Sequence, residues 1–184
     1  MRLFLAIPLP EPLQDELARF QSRARLSGAS ASWPKPQGMH LTLAFLGEGS
    51  ETIVPSLLEV ASRIASGHTP FPLQTYRLGG FPQDHAARVL WLGLEESPLL
   101  WMLAEDLRRG LREAGRTFDD KPFKAHLTLA RFKATQDVAR FQEQPAVCSF
   151  EVREFALYQS VQTSSGAYYL SLGKVSLGSA SVSR

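Results

Sequence analysis

The chain has 184 residues and a mass of 20.4 kDa, with 44% hydrophobic and 21% charged residues. These fractions are those of an ordinary globular protein and exclude a largely disordered chain. The formal net charge of +2 indicates no general attraction to nucleic acid, although a local basic cleft is compatible with it.

The first part of the chain alternates strands and helices. An apolar strand is predicted over 2–7; the acidic residues that follow at once argue against a signal peptide. Apolar residues at helical spacing predict a helix over about 11–26. A loop rich in Ser, Pro and Gly over 28–37 leads to a strand over 39–46, and a second helix is predicted over about 51–66.

The second part repeats strand, helix and strand. Strands are predicted over 71–78 and 88–94, a third helix over 97–114, and a strand over 126–132. A short helix is expected at about 136–144. Two final strands are predicted over 149–160 and 167–177, with a turn at 164–166, and the tail 178–184 is expected to fray. These elements predict an α+β protein with antiparallel sheet.

One five-residue segment occurs twice. Residues 40–44 read His-Leu-Thr-Leu-Ala, and residues 126–130 repeat them letter for letter. Each copy follows a predicted strand and helix. The chain is therefore interpreted as a duplicated unit, with two lobes related by an approximate two-fold axis and forming one domain over 1–177.

The repeated segment places one imidazole and one hydroxyl on the same side of a strand. Because side chains alternate, His40 and Thr42 share one face and the leucines the other, and His126 and Thr128 do the same. Two such faces across a cleft suit phosphodiester chemistry: one imidazole takes a proton from water, the other donates one to the leaving oxygen, and the hydroxyls bind phosphoryl oxygens. A single His-x-Thr would more often be structural; its duplication favours catalysis.

Other polar residues give weaker indications. Arg131 lies on the opposite face from His126 in an ideal strand, and reaches a phosphate only if the strand ends or bulges. His68 and His85 are expected on surface loops, and Phe4 and Phe45 in the core. The arginines along the third helix are interpreted as a solvated face; they are Arg108, Arg109, Arg112 and Arg116.

The sequence resembles the two-histidine (2H) phosphoesterase superfamily, and within it the bacterial and archaeal RNA 2′,3′-cyclic phosphodiesterases, historically called 2′-5′ RNA ligases. The resemblance rests on both His-x-Thr segments with their flanks, on the opening residues 2–6 and on residues 157–160 (Leu-Tyr-Gln-Ser), and covers nearly the whole chain. One departure is Ala125, where many relatives have Pro.

This resemblance implies a bilobal fold with two pseudo-symmetric lobes and antiparallel sheets around a central groove, with the helices outside. It implies hydrolysis of an RNA 2′,3′-cyclic phosphate to a 2′-phosphate, with weak reversible 2′-5′ ligation of RNA such as tRNA halves. Carried over to this sequence, His40 and His126 are catalytic, and Thr42, Thr128 and Arg131 bind phosphate. The resemblance favours His40 as acid and His126 as base.

Three alternatives stay open. A binding module for RNA ends would keep the pocket but not need both histidines. Another 2H hydrolase could act on a cyclic nucleotide, ADP-ribose cyclic phosphate or 2′-5′ oligoadenylate with the same chemistry at phosphorus. A histidine metal site is the weakest, because each strand supplies one ligand and no carboxylate or cysteine repeats with it.

The same interpretation predicts the partners and cofactors of the protein. Lys121 and Lys124 before the second segment are candidates for RNA backbone contacts, and Tyr158 for stacking on a base. No metal or cofactor, no membrane and no obligate protein partner are expected, so a monomer is predicted. The single cysteine, Cys148, cannot form an internal disulfide; it is expected to be buried, in a cytoplasmic protein.

Overall fold

Two antiparallel sheets organise the chain in the computed structural model, which describes residues 1–163 and 166–178. Within these ranges there are three α-helices: α1 (Glu11–Arg25), α2 (Val54–Ala65) and α3 (Pro98–Glu113). The strands in the same ranges are β1 (Arg2–Pro8), β2 (Ala31–Ser32), β3 (His40–Glu48), β4 (Phe71–Phe81), β5 (Ala87–Leu94), β6 (His126–Gln136), β7 (Ser149–Val152), β8 (Glu154–Thr163) and β9 (Gly166–Ser176). The predicted α+β fold is confirmed.

The two sheets repeat one arrangement. Their strand orders are β3-β1-β8-β9 and β2-β6-β5-β4-β7. In each, the strand that carries a His-x-Thr segment pairs with the strand that precedes its helix, β3 with β1 and β6 with β5. The pseudo-symmetry predicted from the repeated segment is therefore visible in the strand pairing, and β3 and β6 pack against each other where the halves meet.

The helices begin at proline or serine signals and bury one apolar face. Helix α1 has a proline in its first turn, and α3 is capped by Ser97, whose hydroxyl accepts a hydrogen bond from the Leu100 N–H. Helix α1 bonds to the second sheet, because Gln21 donates to the Leu129 carbonyl. Helix α3, from the second half, packs against β3 of the first. Each half thus supplies a helix to the other half's sheet.

The buried apolar side chains of both sheets form one continuous core. The leucines of the repeated segments are each at most 2% exposed; they are Leu41, Leu43, Leu127 and Leu129. Burying a leucine contributes about 1.5–3 kcal/mol relative to leaving it exposed. Turning either strand over would expose its leucines, so the core fixes which face carries the histidine and threonine.

Both strands contain a β-bulge at the same place in the repeat. In the pairing of β1 with β3, Leu43 is skipped, and in the pairing of β5 with β6, Leu129 is skipped. The residues after them, Ala44 and Ala130, are buried as well, so the in-out alternation changes phase at each bulge.

Several predicted boundaries are wrong. The short helix expected at 136–144 is absent: β6 continues to Gln136, and a single 3-10 turn follows at Val138–Arg140. The strand predicted over 149–160 is two strands, β7 and β8, which enter different sheets. The expected turn at 164–166 and the tail at 178–184 lie mostly outside the described residues. No helix in the described ranges is long and apolar enough to cross a membrane.

Candidate active site

The two repeated histidines are held in the same way. His40 Nδ1 lies 2.8 Å from the Gly38 carbonyl oxygen, and His126 Nδ1 lies 2.7 Å from that of Lys124, in each case two residues earlier in the chain. A carbonyl only accepts hydrogen bonds, so Nδ1 carries the proton in both rings. Each imidazole is therefore left with Nε2 available for proton transfer.

The threonines share the face of their histidines, as the alternation predicts. Thr42 and Thr128 are partly buried, between the fully buried leucines of their strands. Thr42 pairs with Ala6 of β1, and Thr128 with Trp91 of β5. The hydroxyl of each threonine therefore lies on the same side of its sheet as the imidazole two residues before it.

Arg131 lies on the face of His126 and Thr128, opposite to the expectation for an ideal strand. The bulge at Leu129 causes this, because the extra residue shifts the alternation so that Ala130 and Phe132 are buried and Arg131 is exposed. The bulge that would be needed for Arg131 to join the site is present.

Aromatic rings enclose His40. Phe4 stacks on it with ring centroids 4.6 Å apart, and Tyr169 of β9 meets it edge-on at 4.8 Å. Tyr158 lies beside both rings, with its centroid 5.4 Å from that of Phe4 and 6.2 Å from that of His40. Phe4 is buried, as expected, but it lies beneath His40 on the site face and is not part of the main core. Tyr158 is half-buried and lines a pocket with His40, Tyr169 and Gly38.

The surroundings of His126 are cationic. The ring of Phe81 meets it edge-on at 4.9 Å, and the Lys124 ammonium lies 5.4 Å from the centre of the same ring. Lys124 and Arg131 are both close enough to disfavour a positive charge on His126. The two imidazoles of the repeat thus have the same backbone partner but different neighbours.

Both imidazoles favour the neutral form. Burial lowers the pKa of His40, and the nearby His126 lowers it further, while the Gly38 carbonyl acts in the opposite direction. Burial also lowers the pKa of His126; the Lys124 carbonyl opposes this, and the charges of Arg131 and Lys124 add to it. The strands that carry the two rings, β3 and β6, pack against each other, and His126 is among the groups that lower the pKa of His40.

Contacts outside the histidine site engage Lys121 and three of the arginines near the end of α3. Lys121 pairs with Asp119, at 2.9 Å between Nζ and Oδ2. The expectation of a solvated arginine face is wrong for Arg108, which is 6% exposed and packs on the Phe118 ring. Arg112 also lies over that ring, and Arg116 donates to the Ser56 hydroxyl. These arginines stabilise the end of α3 and the segment after it.

Three further residues, His85, His68 and Cys148, differ in whether their exposure matches the prediction. His85 is exposed, as expected. His68 is not a free surface residue, because its Nε2 lies 2.9 Å from Asp106 Oδ2 and its side chain is 9% exposed. Cys148 is partly buried, and this burial raises its pKa. Among residues 1–163 and 166–178, no three His, Cys, Asp or Glu side chains gather as they would around a metal ion.

Some residues near the histidines had no signal in the sequence. Tyr169 and Phe4 reach His40 from strands distant in the chain, and Phe81 lies beyond the strand predicted over 71–78, at the end of the longer β4. Trp91 lies flat across Gly79, at a place where any larger residue would collide with its ring. The two consecutive glycines at 79–80 follow the strand predicted over 71–78, and the sequence does not indicate which side chain packs on them.

Comparison with known proteins gives one consistent family. The model of the family described as LigT like Phosphoesterase matches residues 7–91 and 93–169, one segment around each His-x-Thr. An RNA 2′,3′-cyclic phosphodiesterase from Thermus thermophilus is 37% identical, over 96% of this chain and 90% of its own. One from Archaeoglobus fulgidus is 32% identical, over 94% and 98%. The crystal structure of E. coli LigT with 3′-AMP superposes with a TM-score of 0.82 at 31% identity, covering 96% of this chain and 97% of that one.

Proposed function

Because the chain belongs to the LigT-like phosphoesterase family, we propose that it hydrolyses the 2′,3′-cyclic phosphate at the end of an RNA to a 2′-phosphate. Relatives of nearly the same length are named RNA 2′,3′-cyclic phosphodiesterases. The observation that carries the proposal is the pair of imidazoles on the packed strands β3 and β6, each with Nδ1 bound to a backbone carbonyl and Nε2 available.

The proposed reaction uses the histidines as acid and base. His126 Nε2 takes a proton from water as the water oxygen attacks phosphorus, and the bond from phosphorus to O3′ breaks. His40 donates its Nε2 proton to O3′, which leaves a 2′-phosphate and a 3′-hydroxyl. The two rings end with exchanged protonation states, and proton exchange with solvent restores them.

The different neighbours of the two rings support this assignment. Arg131 and Lys124 disfavour charge on His126, which suits a base that starts neutral. His40 stacks on the face of the Phe4 ring, which attracts a cation and so suits an acid that starts protonated. A bound phosphodiester, which is an anion, raises the pKa of both imidazoles and offsets the burial that lowers them.

The phosphoryl oxygens need donors as negative charge accumulates on them. We assign that role to the hydroxyls of Thr42 and Thr128 and to the Arg131 guanidinium, all on the site faces of their strands. Lys124 is the better candidate for an RNA backbone contact, because Lys121 is paired with Asp119. Tyr158, half-buried beside the His40 pocket, is the candidate for stacking on the terminal base.

Imidazoles, hydroxyls and a guanidinium together provide proton transfer and charge stabilisation, so we propose a reaction that needs no metal ion. The same geometry allows weak 2′-5′ ligation: a 5′-hydroxyl takes the place of water, and its oxygen bonds to phosphorus as O3′ leaves. Since the site residues come from both sheets, residues 1–177 would act as one catalytic unit. We propose that this unit is a monomer in the cytoplasm.

The test is hydrolysis of a short RNA with a 2′,3′-cyclic phosphate end, with the product identified as 2′- or 3′-phosphate. We expect a 2′-phosphate, and a loss of about 10²–10⁴-fold in turnover for His40→Ala and for His126→Ala. The matched control is His85→Ala, which removes an exposed histidine. Faster turnover of 3′,5′-cyclic or 2′-5′-linked substrates in the same assay would contradict the proposed substrate.

An ester with a leaving group that needs no acid distinguishes the two roles. On such a substrate, the variant that lacks the acid should keep substantial activity, and the variant that lacks the base should not. We expect His40→Ala to be the active one. If His126→Ala keeps the activity instead, the assignment is reversed.

A further inference from the structure

Gln21 of α1 joins the two halves of the site through the backbone. Its side chain is 3% exposed, and its amide nitrogen donates to the Leu129 carbonyl at 3.0 Å and to the Pro34 carbonyl at 2.9 Å. Both partners are carbonyls, so only the amide NH₂ can face them. Leu129 is the bulged residue of β6, and Pro34 lies in the loop that leads to β3.

The bulge at Leu129 decides where Arg131 points. Without the extra residue, the alternation of β6 would place Arg131 on the side of the buried leucines. A bulge, however, interrupts the ladder of hydrogen bonds, and a buried carbonyl left without a donor is costly. The Gln21 amide donates to the carbonyl of the bulged residue, Leu129, from a helix outside the sheet.

We propose that Gln21 is a positioning residue for phosphate recognition: by bonding to the Leu129 carbonyl it stabilises the bulge that places Arg131 on the face of His126 and Thr128. The inference rests on the proposed function for the role of Arg131. Gln21 touches neither histidine and acts through the backbone of β6. Its second bond, to Pro34, ties the same bulge to the loop before β3.

The test is a double-mutant cycle between Gln21 and Arg131. Gln21→Met keeps the length of the side chain and removes both donors. We expect it to lower kcat/KM for a 2′,3′-cyclic nucleotide about tenfold, the effect of one charge-assisted hydrogen bond. In an Arg131→Ala background, the same substitution should cost less than about twofold, because the residue that it positions is gone.

A control separates positioning from general loosening of α1. Glu16 lies on the same helix, is 6% exposed and accepts a hydrogen bond from the Ala146 N–H, away from the bulge. Glu16→Ala weakens the attachment of α1 by removing the carboxylate that accepts from the Ala146 N–H. We expect its effect on kcat/KM to be the same with and without Arg131. If Gln21→Met is too unstable to assay, Gln21→Leu, which also lacks both donors, should show the same pattern.

Binding of inorganic phosphate, measured by calorimetry, gives a second readout that does not need turnover. Gln21→Met should weaken it about tenfold when Arg131 is present and less than twofold when it is absent. Equal losses in both backgrounds, or no loss in either, would overturn the positioning role. If the variants show this pattern of phosphate binding but the wild-type protein does not hydrolyse the cyclic nucleotide, the result would contradict the proposed function and support the role of Gln21.

Discussion

Tyr169 meets the ring of His40 edge-on, with centroids 4.8 Å apart, and the same tyrosine lies against Gly38, whose carbonyl accepts the hydrogen bond from His40 Nδ1. One side chain of the last strand, β9, thus contacts both the imidazole and the loop that orients it. A ring and its backbone partner held together in this way have little freedom to tilt.

A methyl group at Gly38 should disturb this arrangement. In Gly38→Ala the added Cβ would lie 3.2 Å from Tyr169 Cδ2, so the ring must move away from its position against His40. We expect kcat to fall about tenfold, because small displacements of catalytic groups are costly. Gly67→Ala, whose Cβ meets its nearest neighbour at an ordinary 3.5 Å, is the control. Full activity of Gly38→Ala would show that Tyr169 does not constrain His40.

The pH dependence follows from the lowered pKa values. Burial lowers the pKa of both His40 and His126, and catalysis needs one ring protonated and the other neutral. The fraction in that state is greatest between the two pKa values and falls on either side. We expect a bell-shaped profile of kcat/KM with its maximum on the acid side of the ordinary imidazole value of about 6.5. A maximum near pH 8 would contradict this.

The threonines should contribute less to turnover than the histidines do. Thr42→Ala or Thr128→Ala removes one hydroxyl donor but leaves both proton-transfer groups in place. By comparison with single oxyanion donors, we expect turnover to fall about tenfold to a thousandfold. Thr42→Ser and Thr128→Ser, which keep the hydroxyl, should recover most of it. Steady-state kinetics on the cyclic phosphate measure all four variants.

Chelation should leave the activity unchanged. The proposed reaction draws every proton and every compensating charge from side chains of the protein. After exhaustive treatment with EDTA and removal of the chelator, the initial rate should match that of the untreated protein. A rate that is lost on chelation and restored by a divalent ion would contradict the metal-independent reaction.

Gly79 should be sensitive to any added side chain. A Cβ there would lie 2.2 Å from two atoms of the Trp91 ring, in a buried part of β4. Overpacking of this kind costs about 1–3 kcal/mol. Gly79→Ala should therefore lower the urea midpoint of unfolding, whereas Gly67→Ala should not. An unchanged midpoint would indicate that Trp91 can leave its place over Gly79 without cost.

The sequence predicted the parts of the site that depend on local pattern. The repeated segment gave the faces of His40 and Thr42 because alternation in a strand follows from backbone geometry alone. The placement of Arg131 could not be derived, since it depends on the bulge at Leu129 and on a donor in a distant helix. The predicted strand over 149–160 failed for a similar reason: Val152 and Phe155 are both buried, but in different sheets, and a pattern of burial does not name the sheet.

Helix α1 attaches to the sheet that contains β5 and β6, and α3 packs against β3 of the other sheet. Cutting the chain between the halves would therefore separate α1 from β6 and α3 from β3. Each sheet also contains strands from both ends of the chain, since β8 and β9 join β1 and β3, and β2 joins β5 and β6. Because both halves lie in one chain, their association is intramolecular, and assembly of the paired histidines does not depend on protein concentration. The two halves should accordingly unfold together, in one cooperative transition.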